Sequence, residues 1–301
     1  MRRLVVTGGG GFVAGAVIHQ APPEWELHVL SGKESALRRA GLVWHTLDWN
    51  NRSTVRAAIA EIGPEAILHA AAIGNIDFCE QHPGRARHAN VDLTAAVAAA
   101  ASKQGCRLVH LSTDNVFDGI RGDYVEQDAP SPINEYARTK AEGESLVSKS
   151  GANHVIVRPA LVMGFGLLGT GNSFLDRTVK MLRDQQTIYV PPEELRTPID
   201  VVTLARALLE LCAGEYRGTL HLAGNEKLDR ISLTQRLAVR LGFSPDLIVA
   251  RAPEKIAGRA PRPRDVSLDN RKSRELLKTP MQDFDAALEL VLATSPQGRS
   301  F

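Results

Sequence analysis

The sequence predicts an α/β fold: a doubly wound parallel sheet of the Rossmann type with a smaller, discontinuous C-terminal substrate lobe. Three observations predict it. Short apolar runs alternate with helical patterns through the first half of the chain, the signature of parallel strands joined by right-handed crossovers. The runs are continuously apolar, as in strands covered on both faces. The first run ends in four glycines that open a helical stretch, "VVTGGGGFVAG".

The elements follow in order. "RLVVTG" is the first strand, and a helix starts at Phe12. "ELHVLS" is the second strand, and a helix is expected over 35–40. "VWHTLDW" is the third, with a helix over 54–62. "AILHAAAI" is the fourth, with a helix over 85–103. "RLVHLSTD" is the fifth; a loop and a helix over 134–148 precede the sixth, "HVIVRPALV". Residues 1–162 are thus expected to form a dinucleotide-binding domain of about six strands, its sheet completed by 199–223 with the strand "GTLHLAG". Residues 163–301 supply mainly the substrate lobe, with helices expected over 174–184, 201–213, 232–241 and 283–293.

Composition narrows the class. The net charge of +2 gives no strong field toward nucleic acid or membrane, so neither is an expected partner. Three scattered cysteines, Cys79, Cys106 and Cys212, show neither a disulfide framework nor zinc spacing, which suits a reducing, cytoplasmic setting. The N-terminal apolar run breaks too early at glycine for a signal peptide, and "LTAAVAAAA" is too short for a membrane span. No metal-ligand spacing is present, and Asn51-Arg52-Ser53 reads as an accidental glycosylation sequon.

The chemistry gathers at the carboxyl ends of the strands. Gly9, Gly11 and Ala14 fit one phosphate-cradling spacing; Gly8, Gly11 and Ala14 fit another. The free N–H groups of the following helix suit a pyrophosphate. The second strand ends in Ser31-Gly32-Lys33, with no acid for a ribose hydroxyl, and Arg38 and Arg39 follow. A basic end favours NADP(H) over NAD(H). Ser112 and Thr113 end the fifth strand, and Tyr136 and Lys140 lie four apart on the next helix. A phenol beside an ammonium has its ionised form favoured. It can exchange a proton with a substrate oxygen that Thr113 orients.

These pieces resemble an extended short-chain dehydrogenase/reductase, closest to the dTDP-4-dehydrorhamnose reductase branch. The resemblance runs in order through "TGGGGFVAG", "LSTDNVFDG", "SPINEYARTKAEGE", "LRTPIDVVTLARALLEL" and "RPRDVSLDN", nearly the whole chain. It implies Tyr136 as proton donor, Lys140 as its electrostatic partner and ribose ligand, and Thr113 as the substrate-orienting hydroxyl. It places Gly8, Gly11 and Ala14 at the pyrophosphate, with Phe12 and Val13 in the same cofactor set. Ser31 and Lys33 belong to that set too, Asp48 and Trp49 near the adenine, and Ala70, Ala71 and Ala72 where the cofactor lies close to the fourth strand. Asn90 resembles a helix-bracing asparagine. Asp114, Asn115, Asn172 and Arg196 form the implied substrate set, the last two near a nucleotide-sugar pyrophosphate, where Arg262 and Arg264 could add charge.

Two departures stand near the expected substrate side: Asn115 where the family has tyrosine, and Phe78-Cys79 where it has lysine and alanine. The implied function is NADP(H)-dependent reduction of a ketone on a nucleotide-linked deoxysugar. A sugar-nucleotide epimerase is an alternative on the same Tyr and Lys. A dehydratase fits less well, because Asn115 cannot abstract and return protons. A non-catalytic alternative is an NADP-binding regulatory subunit, since that of methionine adenosyltransferase resembles the same branch. A homodimer through the alanine-rich helix is one expected assembly; inward packing of that helix is the other reading.

Overall fold

In the computed structural model, residues 1–168, 173–252 and 258–294 are described. The first half runs β1 (Arg2–Thr7), α1 (Phe12–Gln20), β2 (Trp25–Ser31), β3 (Leu42–Thr46), α2 (Arg52–Ile62) and β4 (Ala66–His69). It continues through α3 (Ile76–Gln81), α4 (Pro83–Arg87), α5 (Leu93–Gln104), β5 (Arg107–Leu111), α6 (Glu135–Lys149) and β6 (Asn153–Pro159). Then come β7 (Val162–Met163), α7 (Phe174–Arg183), β8 (Ile188–Val190), β9 (Leu195–Arg196), β10 (Ile199–Asp200), α8 (Val201–Ala213) and β11 (Gly218–Leu222). The tail holds β12 (Leu228–Asp229), α9 (Arg230–Arg240), β13 (Ile248–Ala250), α10 (Arg271–Leu276) and α11 (Phe284–Ala293).

Seven strands form one sheet in the order β11-β6-β5-β4-β1-β2-β3, every pair parallel. The order reverses between β1 and β4, and in such sheets that crevice takes the ligand. Side chains alternate across the sheet. Leu4 and Val6 of β1 enter a core shared with Val17 of α1 and Leu204 and Leu208 of α8. Val5 enters the opposite core, with Val55 and Ile59 of α2 and Val97 of α5. Both faces are dry, which is why the strands read as unbroken apolar runs. Three two-stranded sheets, β10-β7, β12-β9 and β13-β8, lie outside the main sheet. Around them Leu175, Leu233, Leu237 and Leu288 build a separate core from α7, α9 and α11.

The structure corrects three local expectations. No helix forms over 35–40. The Ser35 hydroxyl accepts the Leu37 N–H, and the Trp44 indole donates to the Leu37 carbonyl at 3.1 Å. The Arg39 guanidinium instead caps α1, donating to the carbonyls of Ile18 and Ala21 at 2.8 and 3.0 Å. The third strand stops at Thr46, leaving Asp48 and Trp49 in the following turn. The helix expected over 85–103 carries a π-helical turn at His88–Asp92, and α3 precedes it. The alanine-rich α5 packs inward against α2 and α6, with Ala96, Ala98, Ala100 and Ala101 buried. Asn51 of the sequon caps α2, its side chain accepting the Ser53 N–H at 3.1 Å.

Candidate active site

Two adjacent cavities open at the carboxyl ends of the strands. Their walls are continuous in sequence, passing from Gly11 to Phe12 and from Ile73 to Gly74.

The first cavity, about 800 Å³, is lined by Gly8, Gly10, Gly11, Ser31, Lys33, Trp49 and Ala70, Ala71 and Ala72. The turn above it is built for close approach. Gly8 has φ +77°, and a Cβ there would lie 2.8 Å from the Ala71 Cα. A Cβ at Gly9 would lie 2.1 Å from Val29, so Gly9 serves packing against the sheet and does not line the cavity. The turn is closed by the Gly11 N–H donating to the Gly8 carbonyl at 2.7 Å. Gly11 caps α1 without a side chain, which leaves that helix's first N–H groups facing outward. The Thr7 hydroxyl fixes the opposite wall by accepting the Ala70 and Ala71 N–H groups at 3.1 and 3.2 Å. This open, glycine-lined cradle fits a dinucleotide.

Not every expected cofactor residue reaches it. Asp48 does not line the cavity; its carboxylate caps the turn after β3 by accepting the Asn50 N–H at 2.9 Å. Phe12 and Val13 line the second cavity instead, because the helix turns them past the glycines. Arg38 pairs with Glu34 at 2.6 Å, and Arg39 is spent on α1. Asn50, Arg52 and Arg85 line the cavity without having been expected there. The Arg52 guanidinium donates to the His88 carbonyl at 2.6 Å.

The second cavity, about 500 Å³, brings together Thr113, Asp114, Asn115, Tyr136 and Arg196. Thr113 and Tyr136 both stand on this cavity's wall, and the Thr113 side chain acts on the Tyr136 phenol in the direction that favours ionisation. Burial pushes the Tyr136 phenol above its ordinary pKa, and Asp114 pushes in the same direction. The ionised phenol expected from the Tyr136–Lys140 spacing is therefore not favoured. Lys140 is buried behind the wall, and its ammonium donates to the Leu111 carbonyl at 2.6 Å. Burial pulls Lys140 down to about 8, opposed by the Glu144 carboxylate.

Asp114 is buried; it accepts from Thr113 Oγ1 at 3.1 Å and from the Asn115 amide at 2.8 Å. Its Oδ2 has no partner among the described residues. Burial pushes this carboxyl up, while Arg196 works against the shift. Arg196 itself donates to the carbonyls of Leu195, Arg264 and Pro263 at 2.7, 3.0 and 3.1 Å, so its fork is largely occupied. Asn172 lies outside the described residues. Arg262 lines the cavity and pairs with Asp77 at 2.9 Å, whereas exposed Arg264 pairs with Glu193 at 2.7 Å and lies off it. Phe78 and Cys79 line neither cavity. Phe78 stacks on His82, and burial pushes the Cys79 thiol up to about 11.

Asn90 braces three segments. Its side chain accepts the Ile73 N–H at 2.8 Å and donates to the Ile73 carbonyl at 3.2 Å and to Thr139 of α6 at 3.0 Å. Sequence reasoning missed Arg177, Arg230, Arg259 and Glu194, all on the second cavity's wall. They come from separate elements and carry no common spacing.

The family model described as RmlD substrate binding domain matches residues 1–296. A dTDP-4-dehydrorhamnose reductase of Sinorhizobium fredii is 33% identical over 231 residues, 74% of this chain and 73% of that protein. The methionine adenosyltransferase 2 subunit beta of Bos taurus is 27% identical over 279 residues, 89% of this chain and 80% of that one. The crystal structure of a dTDP-4-dehydrorhamnose reductase from Bacillus anthracis, in complex with NADP, superposes with a TM-score of 0.88 at 24% identity. It covers 98% of this chain and 100% of that one.

Proposed function

The chain belongs to the RmlD substrate binding domain family, and from that premise we propose that it reduces a keto group on a dTDP-linked deoxysugar with NADPH. It is an NAD(P)-dependent oxidoreductase of the short-chain dehydrogenase/reductase type. The observation that carries the proposal is that Thr113 and Tyr136 stand together on the wall of an arginine-lined cavity beside the glycine turn.

NADPH, when bound, supplies the hydride. Gly8, Gly10 and Gly11 would hold its pyrophosphate, Ala70 to Ala72 would admit it close to β4, and Ser31 and Lys33 would meet the 2′-phosphate. Tyr136 supplies the proton to the substrate oxygen. Its raised pKa suits this direction, because a neutral phenol has the proton to give. Thr113 orients that oxygen by hydrogen bonding. Lys140, held on the Leu111 carbonyl, contributes positive charge behind the phenol as the phenolate forms.

One observation favours a second reading, a cofactor-binding subunit without turnover: the similarity to the beta subunit of a methionine adenosyltransferase over most of the chain. Loss of NADPH absorbance with a panel of dTDP-4-keto-6-deoxysugars separates the two. Turnover in the wild type that falls at least about 100-fold in Tyr136→Phe, with NADPH affinity retained, is the expected result. NADPH binding without turnover on any of these sugars would replace the reductase with the subunit.

A further inference from the structure

Arg230 opens α9 and lines the second cavity. Its guanidinium lies over the Phe174 ring, 4.1 Å from the centroid. Among the described residues the side chain has no hydrogen-bond acceptor and no ion-pair partner. Its neighbours differ in this respect. Arg196 is held by three carbonyls, Arg259 pairs with Glu194, and Arg262 pairs with Asp77.

A guanidinium held face-on by an aromatic ring keeps its in-plane N–H groups free. Those groups match an anion that offers two oxygens at once. Burial and the adjacent Arg196 disfavour the charge and pull Arg230 down to about 10, against the pull of the Glu194 carboxylate, which forms no hydrogen bond or ion pair with it. A partly desolvated cation whose N–H groups lack acceptors is costly unless a ligand completes it. The wider cavity agrees: five arginines line it against three carboxylates, Asp77, Asp114 and Glu194. A diphosphate supplies the charge this imbalance lacks, which a single neutral sugar cannot.

We propose that Arg230, seated over the Phe174 ring, is the residue that takes a phosphate of the substrate's nucleotide diphosphate, the role that the sequence motifs imply for Arg196. The assignment rests on the nucleotide-sugar reading above, and it names the side chain that selects for the diphosphate.

The test is calorimetric titration of the full chain, with NADPH present, using dTDP alone as the probe. Arg230→Met should weaken dTDP binding by about 30-fold or more and leave the NADPH dissociation constant unchanged. Arg230→Lys, which keeps the charge without the fork, should weaken it by about tenfold. Turnover of the best keto sugar should show the loss in KM more than in kcat. Equal dTDP affinity in wild type and Arg230→Met would overturn the assignment. Should Arg230→Met lose NADPH binding too, Arg230→Lys decides: weakened dTDP binding supports the assignment, unchanged binding overturns it. A wild type that binds NADPH but not dTDP would remove the nucleotide-sugar reading itself, a result distinct from a failure of Arg230.

Discussion

The Ser112 hydroxyl donates to Glu144 Oε1 at 2.5 Å, tying the end of β5 to the helix that carries Tyr136 and Lys140. Arg158 of β6 completes the joint, donating to the same carboxylate at 3.0 Å through Nε and at 2.7 Å through a terminal nitrogen. Three elements that face the second cavity are therefore pinned at one buried carboxylate. Glu144 and Arg158 are only 5% and 4% exposed, so neither charge has water to fall back on.

Glu144→Ala should cost about 3–5 kcal/mol, because it strands the Arg158 guanidinium in a dry core. The paired replacement Glu144→Met with Arg158→Met should recover most of that stability. Urea denaturation of the wild type and both variants checks it. A Glu144→Ala protein as stable as the wild type would mean that Arg158 finds another partner.

Gly8→Ala tests the glycine turn. The position has φ +77°, and the new Cβ would meet the Ala71 backbone at 2.8 Å. Backbone strain alone is about 1–3 kcal/mol, and the wall formed by β4 must also move. NADPH affinity should fall by about tenfold or more, with a lower melting temperature. Fluorescence titration with NADPH reads the first effect, and a thermal scan the second. Unchanged affinity would place the dinucleotide elsewhere.

Thr113→Val removes the hydroxyl that stands beside Tyr136 on the cavity wall and that accepts the Asn115 N–H at 3.2 Å. Turnover should drop about 100-fold or more through the lost substrate hydrogen bond, and stability by about 1 kcal/mol through the lost cap. Thr113→Ser should keep most of both. Steady-state kinetics with NADPH and the best sugar, beside a melting curve, separate the two effects. Full activity in Thr113→Val would leave Tyr136 acting without it.

The parts of this fold that read directly from sequence are those governed by local chemistry. β4 and β5 announce themselves as apolar runs because both of their faces are buried. Tyr136 and Lys140 are legible because a helical spacing fixes them. What does not read are the choices made at a distance. The stretch at 35–40 stays out of a helix because Arg39 finds open carbonyls at the end of α1. Arg196 looks free in the sequence but is claimed by carbonyls up to 68 positions away. Arg230 and Phe174 meet only because α9 and α7 pack together. The selective "RPRDVSLDN" stretch holds the fold together at its end, where the Asn270 amide donates to the carbonyls of Ala223 and Gly224 at 3.0 and 3.1 Å. The same stretch reaches the second cavity at its other end, through Arg262.

His69 links the sheet to acid stability. It is buried between Thr7 at 2.8 Å and Thr94 at 3.0 Å, stacked 5.3 Å from His110. Burial, with Lys140 nearby, pulls it down to about 3, so the folded protein keeps this ring neutral. The unfolded chain takes up a proton below the ordinary value of 6.5. Stability from this residue is therefore complete above that pH and drains away as the pH falls from 6.5 toward 3. His69→Gln keeps a donor and an acceptor for the two threonines but cannot titrate. Its unfolding free energy should decline less steeply between pH 6 and 4, by up to about 1.4 kcal/mol per pH unit. Denaturation curves at several pH values in that range provide the slopes. Parallel slopes for wild type and variant would show that His69 takes up its proton without unfolding, and that the threonine pair tolerates the charge.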